Sequence, residues 1–130
     1  MADTDVAAVA RDAYEAFASG DMDRLAEIFA DVVWHLPGKS RIAGDKKGWA
    51  DIAPFFGTLM EATGGTFKGE LLNAFAEGDE VITLHRTSAT RPDGAALDSL
   101  GVLIWRFENG RAVEIHEMFY DQYAEDAFWG

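Results

Sequence analysis

The strongest constraint on this chain is a change of hydrophobic period near its middle. Apolar residues recur every three or four positions in the first half and every second position in much of the second. Val6, Val9, Ala10, Ala13 and Phe17 share one helical face, with Asp3 or Thr4 placed to cap it. Gly20 stops that helix. Asp21 can cap a second, short one carrying Leu25, Ile28 and Phe29. A strand over Val32 to Leu36 follows, and Pro37-Gly38 ends it. A third helix covers roughly Gly48 to Ala62, with Ile52, Phe55, Phe56, Leu59 and Met60 on one side. Pro54 fits its first turn if Asp51 is the cap; a start at Trp49 costs it a hydrogen bond. Gly64-Gly65 closes the helix.

The remainder reads as an antiparallel meander. Its strands are Phe67 to Ala76, Val81 to Arg91, Leu97 to Glu108 and Arg111 to Tyr120. Turns at Glu77-Gly78-Asp79, Pro92-Asp93-Gly94 and Asn109-Gly110 separate them. Asn109-Gly110 is the strongest hairpin signal, because both residues tolerate the positive φ of a type I′ turn. Asp121 caps a last helical turn ending in Phe128-Trp129. Helices followed by hairpins indicate an α+β fold: three helices from the N-terminal half packed on a curved, mostly antiparallel sheet.

Size and composition narrow the function. One domain spanning residues 1–130 can bury a sizeable core. The 48% hydrophobic and 12% aromatic content is that of a globular chain. A formal net charge of −12, with no basic stripe or tail, argues against nucleic acid and anionic membranes as partners. There is no cysteine, so thiol chemistry and disulfides are excluded. No apolar run approaches a membrane span, and the acidic, Ala-rich start lacks a signal core, so a cytoplasmic location is expected. Gly-rich phosphate loops, a Ser-centred elbow and dinucleotide fingerprints are missing. Ligand spacings such as His-x-His or His-Glu-x-x-His are missing too. No metal or cofactor is therefore expected, although a metal site assembled from separate strands stays possible.

The order of elements, helix-helix-strand-helix and then four meandering strands, resembles the cone fold of the nuclear transport factor 2-like superfamily. Its members include ketosteroid isomerases, SnoaL-like polyketide cyclases and limonene epoxide hydrolases. The resemblance is carried by Tyr14-Glu15-Ala16-Phe17 with Gly20-Asp21, Leu25 to Asp31, Val32-Val33-Trp34-His35, Gly44-Asp45 with Gly48, and Phe55-Phe56. Asn109-Gly110-Arg111 and Phe119-Tyr120-Asp121-Gln122-Tyr123 with Phe128-Trp129 complete it. Small SnoaL-like proteins match best.

The resemblance also suggests site residues. The general-base Asp of the isomerases falls, counting back from Gly38, on His35. Their oxyanion Tyr falls one residue from Tyr14, and their oxyanion Asp two residues from Asp98, with Leu100 in the better register. The acid/base Asp of the SnoaL-like cyclases, seven residues past the hairpin Gly, falls on Glu117. Of the epoxide hydrolases' Asp-Arg-Asp relay, only Arg86 and Asp98 offer members.

Strand alternation independently places Val113, Ile115, Glu117 and Phe119 on one face, the more apolar, and His116 on the other. Glu117 then points into an apolar cavity, where desolvation raises its pKa, or sits at the mouth paired with Arg86 or Arg106. His35 serves as acid or base, or as a structural histidine. Together His35 and Glu117 would form a base-orienter pair for proton abstraction beside a carbonyl. His85 and Arg86 are adjacent, so only one faces the cavity. Tyr14, Phe17, Trp34, Phe56, Arg86, Asp98, Trp105 and Phe119 line or polarise the pocket. A cavity of that kind suits a small apolar or aromatic ligand. The expected function is a cofactor-independent isomerase-, cyclase- or lyase-like enzyme acting on an apolar carbonyl-bearing or polycyclic molecule. The alternative is a non-catalytic binding or dimeric assembly module. Under either reading the outer sheet face, with Leu84, Ile104 and Met118, suits a homodimer.

Overall fold

The computed structural model describes residues 5–130. The chain runs α1 (Val6–Ser19), α2 (Met22–Ile28), β1 (Val33–Leu36), β2 (Gly44–Lys47), α3 (Gly48–Ala62), β3 (Lys68–Glu77), β4 (Glu80–Thr90), β5 (Ala96–Glu108), β6 (Arg111–Phe119) and α4 (Gln122–Trp129). The strands form one six-stranded sheet in the order β2-β1-β6-β5-β4-β3. All neighbours are antiparallel except β1 and β6. The α+β class and the mostly antiparallel sheet are as the sequence predicts.

Local chemistry explains most boundaries. Asp3 and Thr4 lie outside the described residues; Asp5 caps α1, its carboxylate accepting the Ala8 N–H at 3.1 Å. Asp21 and Asp121 cap α2 and α4 in the same way, through the N–H groups of Arg24 and Ala124. The β5–β6 turn carries positive φ at Asn109 (51°) and Gly110 (77°), as a type I′ turn requires. Helix α3 begins at Gly48, so Pro54 lies beyond its first turn and the helix forgoes the bond that the Ala50 carbonyl would accept. Asp51 is not the cap; its carboxylate reaches back to the Lys47 N–H at 2.8 Å.

The sequence reading missed β2. Its four residues, Gly-Asp-Lys-Lys, show no apolar alternation and pair only with β1. A short, charged strand protects an exposed sheet edge, so polarity here signals an edge and not a loop. A bulge also shifts the register near the start of β6: Phe107 pairs with Ala112, while Arg106 pairs with Glu114. Ala112 is therefore buried and Val113, expected on the inner face, is the extra residue.

The helices cover one face of the sheet. Phe56 centres the layer between them, its ring 5.1 Å from Phe17, 5.6 Å from Phe29 and 5.8 Å from Trp34. Ile52, Val81, Trp105 and Ile115 are almost fully buried beneath it. The opposite face has no covering layer among the described residues, and Phe75, Ile82 and Met118 are exposed there. No described helix is long and apolar enough to cross a membrane.

Candidate active site

The helical layer and the inner sheet face enclose a cavity of about 100 Å³. Its wall is mostly aromatic, with Phe17, Phe29, Phe55, Phe56, Phe67, Trp105, Phe119 and Trp129 contributing. Three titratable groups from three different elements interrupt that wall: Tyr14 on α1, His85 on β4 and Glu117 on β6. A fourth, Glu125, comes from α4.

Cross-strand register brings the first three together. Thr83 pairs with Leu103, which pairs with Glu117; His85 pairs with Gly101, which pairs with Phe119. Directly opposed residues share a face, so Thr83, His85 and Glu117 all point inward. Gly101 matters because it has no side chain: a Cβ there would lie 2.7 Å from His85 Nε2. The missing Cβ lets the imidazole lie flat against β5.

A hydrogen-bonded chain fixes the imidazole. Trp105 Nε1–H donates to Thr83 Oγ1 at 3.0 Å. Thr83 Oγ1 lies 2.9 Å from the Tyr14 hydroxyl, which lies 2.7 Å from His85 Nδ1. Trp105 can only donate and Tyr14 is the other group bonded to Thr83 Oγ1, so satisfying the buried Thr83 hydroxyl proton within the chain makes Tyr14 its acceptor. Tyr14 in turn donates to Nδ1. The neutral ring therefore carries its hydrogen on Nε2, the atom 3.8 Å from Glu117 Oε2. From the other side, Trp34 Nε1–H donates to Glu117 Oε1 at 3.1 Å and aims the carboxyl.

Burial sets the protonation states. It pushes Glu117 up to about 8; the Trp34 hydrogen bond opposes this and the Glu125 charge adds to it. It pushes His85 down to about 4 and raises the Tyr14 phenol well above its usual value. At neutral pH the site thus holds a mostly protonated carboxyl beside a neutral imidazole. Glu125 is also raised by burial. One of its oxygens accepts the Trp129 Nε1–H at 2.9 Å; the other, Oε1, is buried with no partner at full hydrogen-bond geometry among the described residues, and the nearby Ser99 hydroxyl eases its charge.

The expected residues divide cleanly. Tyr14, Phe17, Trp34, Phe56, Trp105, Phe119 and Glu117 line the cavity. His35 does not, and the expected His35–Glu117 pair does not exist. Trp34 and Leu36 take the inner face of β1, so alternation turns His35 outward. There its Nδ1 lies 2.8 Å from Asp45 and its Nε2 2.8 Å from Glu114, and these two bonds raise its pKa. Arg86 and Asp98 are likewise outside, ion-paired at 2.9 Å on the exposed face, so neither polarises the pocket. His85 is the member of the His85-Arg86 pair that turns inward.

Sequence reasoning missed Thr83 and Glu125 altogether. Thr83 shares its strand face with Val81 and His85, a pattern that alternation could have exposed. It was masked because the outward residues Ile82 and Leu84 are apolar too. For Glu125 only its spacing of four from Trp129 hinted at a local bond.

A family of SnoaL-like domains matches residues 10–115. The chain belongs to that family. The uncharacterized protein Rv0034 of Mycobacterium tuberculosis is 32% identical over 121 residues, covering 92% of each chain. Among solved structures, Bal32a from a soil-derived mobile gene cassette superposes with a TM-score of 0.91 at 45% identity, covering 98% of both chains. A protein of unknown function with a cystatin-like fold from Xanthomonas campestris gives 0.87 at 35% identity, covering 96% of this chain and 98% of its own. The SnoaL-like match covers residues 10–115, and the resemblance read from the sequence was to that superfamily.

Proposed function

We propose that this SnoaL-like domain is a cofactor-independent acid/base enzyme, with Glu117 and His85 as the catalytic residues. The supporting observation is their juxtaposition: a buried carboxyl and a buried imidazole 3.8 Å apart in an aromatic hollow. Its substrate is a small, uncharged carbonyl compound. The hollow has no cationic side chain in its wall to bind an anion. At about 100 Å³ it is smaller than the ~150 Å³ cavity that accommodates a benzene ring. A short chain matches that scale, a single ring requires the cavity to widen, and a polycyclic ligand requires the aromatic walls to move further.

In this reading the ionised form of Glu117, a minority at neutral pH that grows as pH approaches 8, removes a proton from the carbon beside the carbonyl. The C–H electron pair moves into the C–C bond, and the carbonyl π pair moves onto oxygen. His85 Nε2–H donates to that oxygen as charge develops. The Glu117 carboxylic acid then returns its proton to carbon, which restores the site: return to the same position exchanges the hydrogen, and return to a conjugated position isomerises the substrate. Tyr14 and Thr83 are positioning residues that act through His85. A base whose pKa lies near the working pH is efficient at this exchange.

The test is deuterium incorporation beside the carbonyl in a panel of monocyclic and short-chain ketones, followed by NMR in D₂O. Glu117→Gln is expected to lower the rate about 10²–10⁴-fold, the usual worth of a general base. Arg86→Ala, outside the cavity, is expected to leave it unchanged. Exchange that persists in Glu117→Gln would overturn the assignment. Saturable ketone binding without any exchange in the parent would instead favour a non-catalytic binding module.

A further inference from the structure

The histidines divide between the two faces of the sheet. His85 belongs to the cavity. His35 and His116 lie on the other face, where parallel pairing of β1 with β6 sets them side by side with their rings stacked 4.3 Å apart. Glu114, two residues before His116 on the same strand face, completes a triangle. Its Oε2 is 2.8 Å from His35 Nε2 and 3.6 Å from His116 Nε2. All three donor atoms fall within 4.8 Å of one another.

We propose that His35, Glu114 and His116 form a surface site for a divalent metal of the zinc type, with Asp45 as the carboxylate that orients His35. A tetrahedral ion with bonds of about 2.0–2.1 Å keeps its ligand atoms roughly 3.3 Å apart, so the 2.8 Å His35–Glu114 contact must open and the 3.6 Å His116–Glu114 contact must close slightly. Asp45 Oδ1 lies 2.8 Å from His35 Nδ1. A carboxylate on the non-ligating nitrogen fixes ring orientation and strengthens the imidazole as a donor. Arg106 Nε lies 3.3 Å from the other Glu114 oxygen, Oε1, which leaves Oε2 to the imidazoles. The Arg106 charge works against a cation, and the formal net charge of −12 works for it. Side-chain exposures of 29%, 31% and 52% for His35, Glu114 and His116 leave the ion a path from solvent. Three protein ligands leave the fourth position of a zinc ion to water. The ion would also pin β1 to β6, the one parallel pair in the described sheet. The site lies on the opposite face of the sheet from Glu117, so it stands or falls apart from the proposed acid/base activity.

The test uses chelator-treated protein titrated with Zn²⁺ in a calorimeter, with thermal melting as a second readout. One ion per chain is expected, with a rise in melting temperature. His116→Ala and Glu114→Gln are each expected to weaken binding at least about tenfold and to remove the thermal shift. Asp45→Asn is expected to weaken it about 10–100-fold. Circular dichroism establishes that the variants are folded; His116 is half-exposed, so its loss leaves the core intact. No zinc binding by the parent, or an affinity unchanged in both His116→Ala and Glu114→Gln, would overturn the proposal.

Discussion

His85 and Glu117 face each other 3.8 Å apart, and burial holds both in their uncharged forms at neutral pH. In water near pH 7 the carboxyl would be ionised. Here the low dielectric of the aromatic wall disfavours each charge, and no cationic side chain in the wall compensates the carboxylate.

This predicts an unusual dependence of stability on pH. The folded-state pKa of Glu117, about 8, exceeds its unfolded value, so its contribution is present at low pH and lost as pH rises toward 8. The folded-state pKa of His85, about 4, lies below its unfolded value of 6.5, so its contribution is lost as pH falls from about 6.5 to 4. Between about pH 4.5 and 6.5 the two slopes oppose each other. From about pH 6.5 to 8 only the Glu117 slope remains, and the pair is expected to cost stability of about 2 kcal/mol over that range. Urea unfolding at pH 6.5 and 8 measures the difference. The decline should shrink by about that amount in Glu117→Gln, the remainder coming from Glu125 and His35, whose folded-state pKa values are also raised; an equal decline in that variant would contradict the assignment.

The helices, the hairpin meander and the inward face of β6 were legible because each rests on local periodicity and turn chemistry. Glu117 was found this way, between the buried Ile115 and the cavity-lining Phe119. His35 was misplaced because the family register was weighted above alternation, although Trp34 and Leu36 on a four-residue strand already assign it to the other face. The choice between His85 and Arg86 was not readable, since Ile82 and Leu84 make the outer face of β4 as apolar as the inner one. The Tyr14–His85 contact spans 71 residues and depends on how α1 lies across the sheet, which no local pattern encodes.

Tyr14→Phe should reveal the weight of that contact. The substitution keeps the ring and removes the hydroxyl, leaving His85 Nδ1 and the Thr83 hydroxyl without their shared partner. Unfolding free energy is expected to drop by about 1–3 kcal/mol, the cost of stranding buried polar groups. A drop of less than about 0.5 kcal/mol would mean that the hydrogen-bonded chain does not form as described.

Glu125→Gln should behave in the opposite sense at alkaline pH. Burial disfavours the ionised acid there, although the Trp129 indole and the Ser99 hydroxyl both favour it. An amide keeps an acceptor for the Trp129 indole and carries no charge. At pH 8 to 9 the variant is expected to match or exceed the parent in thermal midpoint. A large loss of stability at that pH would show that the carboxylate is needed.

Gly101→Ala tests the site without replacing any titratable group. The added Cβ would sit 2.7 Å from His85 Nε2, closer than carbon and nitrogen approach without bonding. Residue 101 is in mid-strand, hydrogen-bonded between β4 and β6, so the backbone has little room to retreat. His85 is packed and tied to Tyr14 at Nδ1, so its ring must lift off β5 and strain that bond. Relief comes by breaking the Tyr14 bond and moving Nε2–H away from the place where it would meet a substrate oxygen. Overpacking of this kind is expected to cost about 1–3 kcal/mol in stability. The imidazole resonances of His85 should shift in a ¹H–¹⁵N spectrum while those of His35 and His116, on the far face, stay in place. Any ketone exchange activity of the parent should fall with them. If the His85 resonances and the activity are both unchanged, the ring does not lie against β5 and the catalytic arrangement built on it fails.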